Sequence, residues 1–417
     1  MIKQKTLWIF QTGEPLHIDG DEPRPMRAIN LANTAVKAGF DVVLWSSAFD
    51  HQKKTHRSKE YKVISVTEHL EIRLIPSRGY SKHIGLGRLF DHMHMALNLK
   101  NLLREEKEIP DVAYVGYPPI ETAFVMERWL KSKKVPALLD VKDLWPSIFV
   151  EAFPSFIRPL AKIIFYPYFF MAKSTMRSVD GISSMSNSYI DWCLSFAQKA
   201  ASPNDIVTRL TSPANKVESE GSFDANNFWE NIGVLDNGVG QKVFFVGTFS
   251  SAFEFIDVIE AAKELPNCQF ILCGHGPDLL KVQMQSNGLK NIVFPGWINR
   301  TQLEQLANMS IASLAPYKNV ENFILNIPNK IVDSLLLGVP VMSPLSGEVA
   351  ALIKFNEVGF TYCRNNSLKI CIQALIDDTS LQKRMSFNAK SLYEKDFDFD
   401  KVYNTLVKHL LCLCKSD

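Results

Sequence analysis

Short apolar runs of strand length alternate with helix-period patterns along almost the whole chain, and this alternation restricts the fold more than any other feature. A strand that is apolar throughout must be covered on both faces, and intervening helices are what cover it, so the pattern points to an α/β protein with parallel sheets. In the first half, strands are expected at 6–10, 41–46, 62–66, 71–75, 111–116, 137–141 and 181–185, with a helix at 27–37 closed by Gly39. The second half repeats the pattern, with strands at 242–246, 269–273, 292–294, 311–315 and 339–342 and helices at 255–264, 277–286, 301–308 and 328–337. Each half reads as its own doubly wound, Rossmann-like sheet.

A chain of 417 residues, 46% hydrophobic and 22% charged, has the size for two such domains and too much apolar content for disorder. Between the halves, 201–239 is rich in Asn, Ser, Asp, Glu and Gly without a sustained period, as in a linker. The expected division is therefore 1–205, a linker or surface excursion at 206–239, a second domain at 240–395, and a C-terminal helix at 396–417 that returns to the first domain. Two doubly wound sheets in tandem bind ligands beyond the carboxyl ends of their strands, facing a shared cleft.

Composition excludes several classes. The net charge is only +2, so no overall field would hold nucleic acid. Seven scattered cysteines without a Cys-x-x-Cys pair write neither a disulfide framework nor a zinc site, which suits a reducing, cytoplasmic compartment. The N-terminus runs straight into an apolar strand and does not read as a signal peptide, and the longest apolar stretch, 163–172, is broken by Pro167.

Three turns could carry chemistry. Gly247-Thr248-Phe249-Ser250-Ser251 follows a strand and precedes a helix, where close backbone approach and free N–H groups suit a phosphate or a plain capped turn. Gly274-His275-Gly276-Pro277 lacks the third glycine of a dinucleotide fingerprint, which counts against a nicotinamide or flavin enzyme; His275 by itself reads as a surface turn residue. In Pro328-Asn329-Lys330-Ile331-Val332-Asp333, proline opens a helix and places Lys330 one turn from Asp333. A cation for a diphosphate and a carboxylate for two ribose hydroxyls would use that spacing, as would a surface ion pair.

The stretch PNKIVDSLLLGVPVMSP resembles the donor-site helix of family-4 glycosyltransferases, retaining enzymes of the two-Rossmann-domain GT-B fold. FFVGTF, LCGHGPDL, VFPGWI and the loop from Gly13 to Gly20 followed by RPMRAINLANTAVKAGFDV extend the likeness over nearly the whole chain. DLWP, Asp143 to Pro146, is similar to a subgroup that includes aminosugar transferases of O-antigen and capsule synthesis. The resemblance implies that Gly247 and Thr248 approach the donor diphosphate, that Lys330 neutralises it and that Asp333 holds the ribose, with Gly276 and Asn329 also at the donor site. It places Trp297 and Ile298 beside the base and Gly13 beside the transferred sugar, with Lys330 acting in catalysis and Asp143 and His83 on the acceptor side. Arg24, Arg27, Trp145, Arg158 and Lys162 are the expected acceptor or membrane contacts. No cofactor and no metal is implied; the partners are a nucleotide-sugar donor, a UDP-sugar by preference, and a polyprenyl-diphosphate-linked saccharide. The chain departs from the pattern at Asp333, where the family carries Glu, at Leu325, where its first Glu would fall with Glu321 nearby, and at Phe253-Glu254, where a basic residue is usual.

Asp19-Gly20-Asp21 and Asp396, Asp398 and Asp400 have the look of cation ligands, yet lack the converging oxygens and spacing of a site, and turn or cap roles are expected. From Phe153 to Val179 no residue is acidic, while Arg158, Lys162, Lys173 and Arg177 interleave with Phe156, Phe165, Tyr166, Phe169 and Phe170. That suits either a buried helix or a segment docked on an anionic bilayer, in which four cations supply at most about 4 kcal/mol. The basic run at 51–62 is expected to be a solvated loop. The leading expectation is a peripheral glycosyltransferase on the cytoplasmic face of the membrane; a nucleotide-sugar 2-epimerase of the same fold and a non-catalytic partner with a degraded donor site are its rivals.

Overall fold

The computed structural model describes residues 4–20, 25–81, 85–151, 153–213, 228–234, 240–363 and 367–414. Two compact units emerge: Met1–Thr208 together with Tyr403–Asp417, and Arg209–Val402.

The first unit holds β1 (Lys5–Phe10), β2 (Phe40–Ser47), the short pair β3 (Phe49–Asp50) and β4 (Thr55–His56), β5 (Lys62–Thr67), β6 (Leu70–Ile75), β7 (Val112–Tyr117), β8 (Ala137–Val141), β9 (Gly181–Ser184) and β10 (Ile206–Val207). Apart from β3 and β4 these make one sheet in the order β10-β9-β8-β7-β1-β2-β6-β5. β1, in the interior of the sheet, reads Leu7-Trp8-Ile9-Phe10 and is fully buried, with the Trp8 ring stacked on Trp129 of the helix Ile120–Ser132 at 5.0 Å. The expectation of purely parallel sheets needs correcting at one edge. β5 runs antiparallel to β6 because only Glu68 and His69 separate them, too few residues for the crossover that parallel neighbours require. β10 also lies in sequence expected to be linker, paired in parallel with β9.

The second unit has six strands, β11 (Gln241–Val246), β12 (Cys268–Cys273), β13 (Ile292–Gly296), β14 (Ala312–Leu314), β15 (Val341–Ser343) and β16 (Gly359–Thr361), ordered β13-β12-β11-β14-β15-β16 and parallel throughout. Chain order reverses between β11 and β14, and in the first unit between β1 and β7, so each sheet has one switch point where strands lead away to opposite sides. Trp229, at the far end of the polar stretch, is 2% exposed and packs with Phe244, Ile271 and Leu306. An aromatic pair, Phe228-Trp229, amid polar residues makes no sustained period, which is why that stretch read as linker.

The helix Phe399–Leu413 buries Tyr403, Leu406, Val407 and Leu410. In the first unit, Asn30 Nδ2 donates to Tyr403 Oη at 3.3 Å and His409 Nε2 lies 2.9 Å from Asn204 O. No helix among the described residues is long and apolar enough to cross a membrane.

Candidate functional site

The second unit's switch point gathers the three turns singled out above. Gly247 ends β11 at φ +156°, and its N–H donates to Cys273 O at 3.0 Å. A Cβ at Gly247 would run into Lys330 Nζ, and one at Gly274, φ +126°, would run into Gly247 O, so the glycines let the β11 turn, the β12 turn and the lysine close on one another. Phe249 N donates to His275 O at 2.9 Å, Asp278 N to Phe249 O at 3.1 Å, and Gly274 N to Gly296 O at 2.7 Å, which ties the turn after β13 into the same layer. Gly276 lies inside this lacing, against the Phe249 backbone.

Lys330 comes from the helix Asn329–Leu337, which starts after Pro328 and ends at Gly338 in the left-handed conformation. Ile331, Val332 and Leu335 anchor its inner face, which leaves Lys330 and Asp333 partly exposed. The ammonium donates to Val246 O and stands 4.6 Å from the centre of the Phe245 ring and 5.3 Å from that of Phe253. Phe253, at the position where a basic residue is usual, therefore faces the lysine as a π-surface, and its ring packs 4.6 Å from Tyr317. Burial pushes the Tyr317 hydroxyl up, and the Asp333 carboxylate adds to the shift. Asp333 Oδ1 accepts from Ser212 Oγ at 3.0 Å. Thr248, Asn329 and Trp297 are exposed around this layer; Trp297 is 57% exposed with its ring 6.2 Å from His275, and Ile298 packs partly into the core. Leu325 caps a four-residue helix begun by Glu321.

In the first unit, the loop after β1 is held from beneath. Glu14 is 6% exposed; its Oε1 accepts from Gln11 Nε2 at 2.8 Å and from Lys142, and its Oε2 from Ala28 N at 2.8 Å. Burial alone would raise the Glu14 carboxyl; Lys142, the Ala28 N–H and Arg27 outweigh it and hold the carboxyl below its ordinary range. Gly13 stays exposed above this network. Asp19 Oδ1 and Oδ2 accept from Arg57 Nε and Nη2, both at 2.5 Å, and Leu16 N donates to Oδ2 at 2.7 Å. Asp19 is thus spent on clamping the loop, and Arg57 corrects the reading of 51–62 as solvated, because its side chain is 7% exposed.

Two expected acceptor or membrane contacts are corrected outright. Arg27 is 5% exposed and donates to Asp140 Oδ1 and, at 2.8 Å, to Thr208 O; the sheet's interior carboxylate draws it inward. Trp145 is 8% exposed, 4.5 Å from the Phe149 ring, with its carbonyl accepting from Tyr117 Oη at 2.7 Å. Arg158 and Lys162 are exposed, and Asp143 is half-buried. Arg24 and His83 lie outside the described residues.

Beside Trp145 stands a cluster that no spacing announced. His92, on the helix Leu86–Glu105, is 4% exposed with Nδ1 3.9 Å from Glu121 Oε2, and the Arg88 guanidinium lies 5.0 Å from the Trp145 ring centre. Burial pushes the Glu121 carboxyl up to about 7 and, with Arg88 and His51, drives the His92 imidazole down to about 3. Their positions, 29 apart on different helices, form no motif; burial and convergence are the only signals.

Residues 233–392 match the family of glycosyl transferases group 1. The match spans most of the second unit, including the Gly247 turn and the Lys330 helix. Whole-chain likeness is to GT-B structures: sucrose-phosphate synthase from Thermosynechococcus elongatus aligns at 13% identity and a TM-score of 0.72, covering 98% of this chain and 99% of that one. WaaG, a glycosyltransferase involved in lipopolysaccharide biosynthesis, aligns at 14% identity and 0.64 over 97% and 99%. Anabaena HepE in complex with UDP and glucose aligns at 16% and 0.62 over 98% and 100%. No protein of curated function matches the chain by sequence. The fold is GT-B, and together with the family match it supports a glycosyltransferase.

Proposed function

We propose that the protein is a retaining, metal-independent glycosyltransferase that moves a sugar, an N-acetylaminosugar or hexose, from a UDP-sugar to a polyprenyl-diphosphate-linked saccharide in O-antigen or capsule assembly. The observation that carries the reading is the Lys330 ammonium seated on the Gly247 turn at the switch point, with Asp333 one helical turn on. A diphosphate laid against the Gly247 turn would meet the positive N-terminal end of the Asn329–Leu337 helix and one fixed cation, while Asp333 accepts ribose hydroxyls in the way it accepts from Ser212. HepE, similar in fold, holds UDP and glucose, and WaaG serves lipopolysaccharide synthesis, which supports the choice of donor and setting. The DLWP stretch supports the aminosugar subgroup.

In the step itself, the bond from the sugar's anomeric carbon to the donor phosphate oxygen breaks as an acceptor hydroxyl oxygen bonds to the same carbon on the same face. The hydroxyl proton passes to the departing phosphate, and UDP leaves. Charge accumulates on the diphosphate, so Lys330 and the N-terminal end of its helix stabilise the transition state more than the bound substrate. No protein base is required, and Asp143 positions the acceptor.

Melting of the protein with UDP, GDP, ADP and NAD in turn tests the donor site. A nucleotide at a hundred times its dissociation constant adds about 2.7 kcal/mol, a shift of roughly 5 to 10 °C for the unit that binds it. UDP should give it and Asp333→Ala should lose it. Lys330→Ala should stay folded and lose sugar transfer; unchanged turnover would overturn the donor-site assignment.

A further inference from the structure

A concave site lies in the first unit, on the flank built by the helices Ile120–Ser132, Arg158–Ile164 and Tyr166–Ser178. It is a groove of about 700 Å³. Five cations line it, Arg128 and Lys131 from the first helix and Lys162, Lys173 and Arg177 from the others, and none of the lining residues is acidic. Beside one of these cations, Glu127 is 1% exposed, with Oε2 3.9 Å from Arg128 Nε. Burial pushes that carboxyl up, against the pull of Ser178, Arg128 and Lys131. Arg128 Nη2 donates to Ser174 Oγ at 2.9 Å, so the guanidinium spans the helices, and Tyr166 and Phe170 supply apolar wall.

The helix Arg158–Ile164 and the turn before it carry an apolar rim that water would not select. Phe156 is 81% exposed, Ile163 71%, Ile164 64% and Leu160 58%. A soluble anion would satisfy the cations and leave this rim in water. A bilayer interface satisfies both, since its phosphates meet the cations and its acyl boundary takes the aromatic and aliphatic side chains. Arg128 and Lys131 belong to a helix that no reading of 153–179 includes, so the groove, and not the segment alone, forms the anion site.

We infer that this groove seats the phosphate of an anionic phospholipid, with the rim of Phe156, Leu160, Ile163 and Ile164 lying at the headgroup boundary. The inference deepens the proposal of a lipid-borne acceptor and rests on it for its purpose. It brings the first unit to the surface on which such an acceptor is presented.

Flotation of the full chain with vesicles of phosphatidylcholine, or of phosphatidylcholine mixed with phosphatidylglycerol, tests it without donor or acceptor. Binding should need phosphatidylglycerol and weaken with salt. Each cation near such a surface is worth about fivefold in affinity, so Lys131→Gln with Lys173→Gln should weaken binding about thirtyfold. Ile163→Ser with Phe170→Ser should weaken it by about tenfold or more. Both double variants should keep the parent melting temperature and the UDP shift. Absent flotation, equal flotation with phosphatidylcholine alone, or full binding by the Lys131/Lys173 variant would overturn the groove. Full binding by the Ile163/Phe170 variant with displacement by inorganic pyrophosphate would replace the lipid by a soluble polyanion, and preferential binding of duplex DNA would replace it by nucleic acid. A UDP shift that survives any of these leaves the transferase reading standing; loss of the UDP shift with vesicle binding intact would sink that reading and spare the groove.

Discussion

Glu121 occupies the first turn of the helix Ile120–Ser132, but its carboxyl is shut away from water against His92 and Tyr168, and burial raises it from 4.5 to about 7. The folded protein keeps a proton that the unfolded chain releases, so this group's contribution to stability falls as pH rises from about 4.5 to 7. His92, driven from 6.5 to about 3, acts in the opposite sense between those values, and the two offset each other where the ranges overlap. Relative to the parent, Glu121→Gln should gain on the order of 3 kcal/mol between pH 4.5 and 8, read by urea denaturation at a series of pH values; parallel profiles would refute the shift. At the Gly247 turn, Gly247→Ala would push a methyl against Lys330, and on the proposed donor site UDP affinity should drop about tenfold or more with only a modest loss of stability. Lys330 and Asp333 were legible in the sequence because helix spacing and flanking Pro and Gly place them. Arg27 was not, because a charged residue near a loop reads alike whether it faces solvent or an interior Asp140.

The helix Arg300–Met309 begins with a reciprocal cap, Asn299 Oδ1 accepting from Gln302 N at 2.9 Å and Gln302 Oε1 from Asn299 N at 2.8 Å. This cap directly follows Trp297 and Ile298, so it sets the direction in which their turn leaves β13. Asn299→Ala should cost about 1 kcal/mol and weaken UDP binding if Trp297 flanks the base; calorimetry on the variant measures both. In the first unit, the loop from Gly13 to Gly20 depends on Arg57. Removing one partner of a buried ion pair costs about 3–5 kcal/mol, so Arg57→Ala should open this loop to protease well before the rest of the unit, as peptide mapping would show. Element types were largely legible, since β8 and the helix Arg27–Lys37 coincide with the sequence reading to the residue. The antiparallel edge β5 was not, because its direction is decided by the length of the turn after it and by nothing within the strand.

Across the molecule, charge is nearly balanced, at +2, and yet five cations share one groove. Whole-chain arithmetic excluded a polyanion-binding field and was blind to a local one, because cations from helices some forty residues apart in sequence meet only after folding. Hydrogen exchange with UDP present should slow at Gly247, Gly274 to Gly276 and the start of the Asn329–Leu337 helix, and leave Arg128 and Lys131 unchanged. Vesicles should do the reverse, and protection of both regions by either one would contradict two separate sites. The two-sheet architecture was legible from the alternation of runs, whereas Trp229, beside Phe228 in a polar stretch, could be assigned to the second unit only from its packing.

The return of Tyr403–Asp417 to the unit that contains Met1–Thr208 bears on synthesis. Tyr403, Leu406, Val407 and Leu410 are interior residues, so the unit translated first lacks part of its core until the ribosome has made roughly 200 more residues, about 10–40 s at ordinary elongation rates. Through that interval the surface meant for this helix stays open to water, while the unit translated second receives its last strand, β16, before Tyr403 is made. Birth order and completion order are therefore reversed in this chain, and the waiting surface is a natural client for a ribosome-associated chaperone.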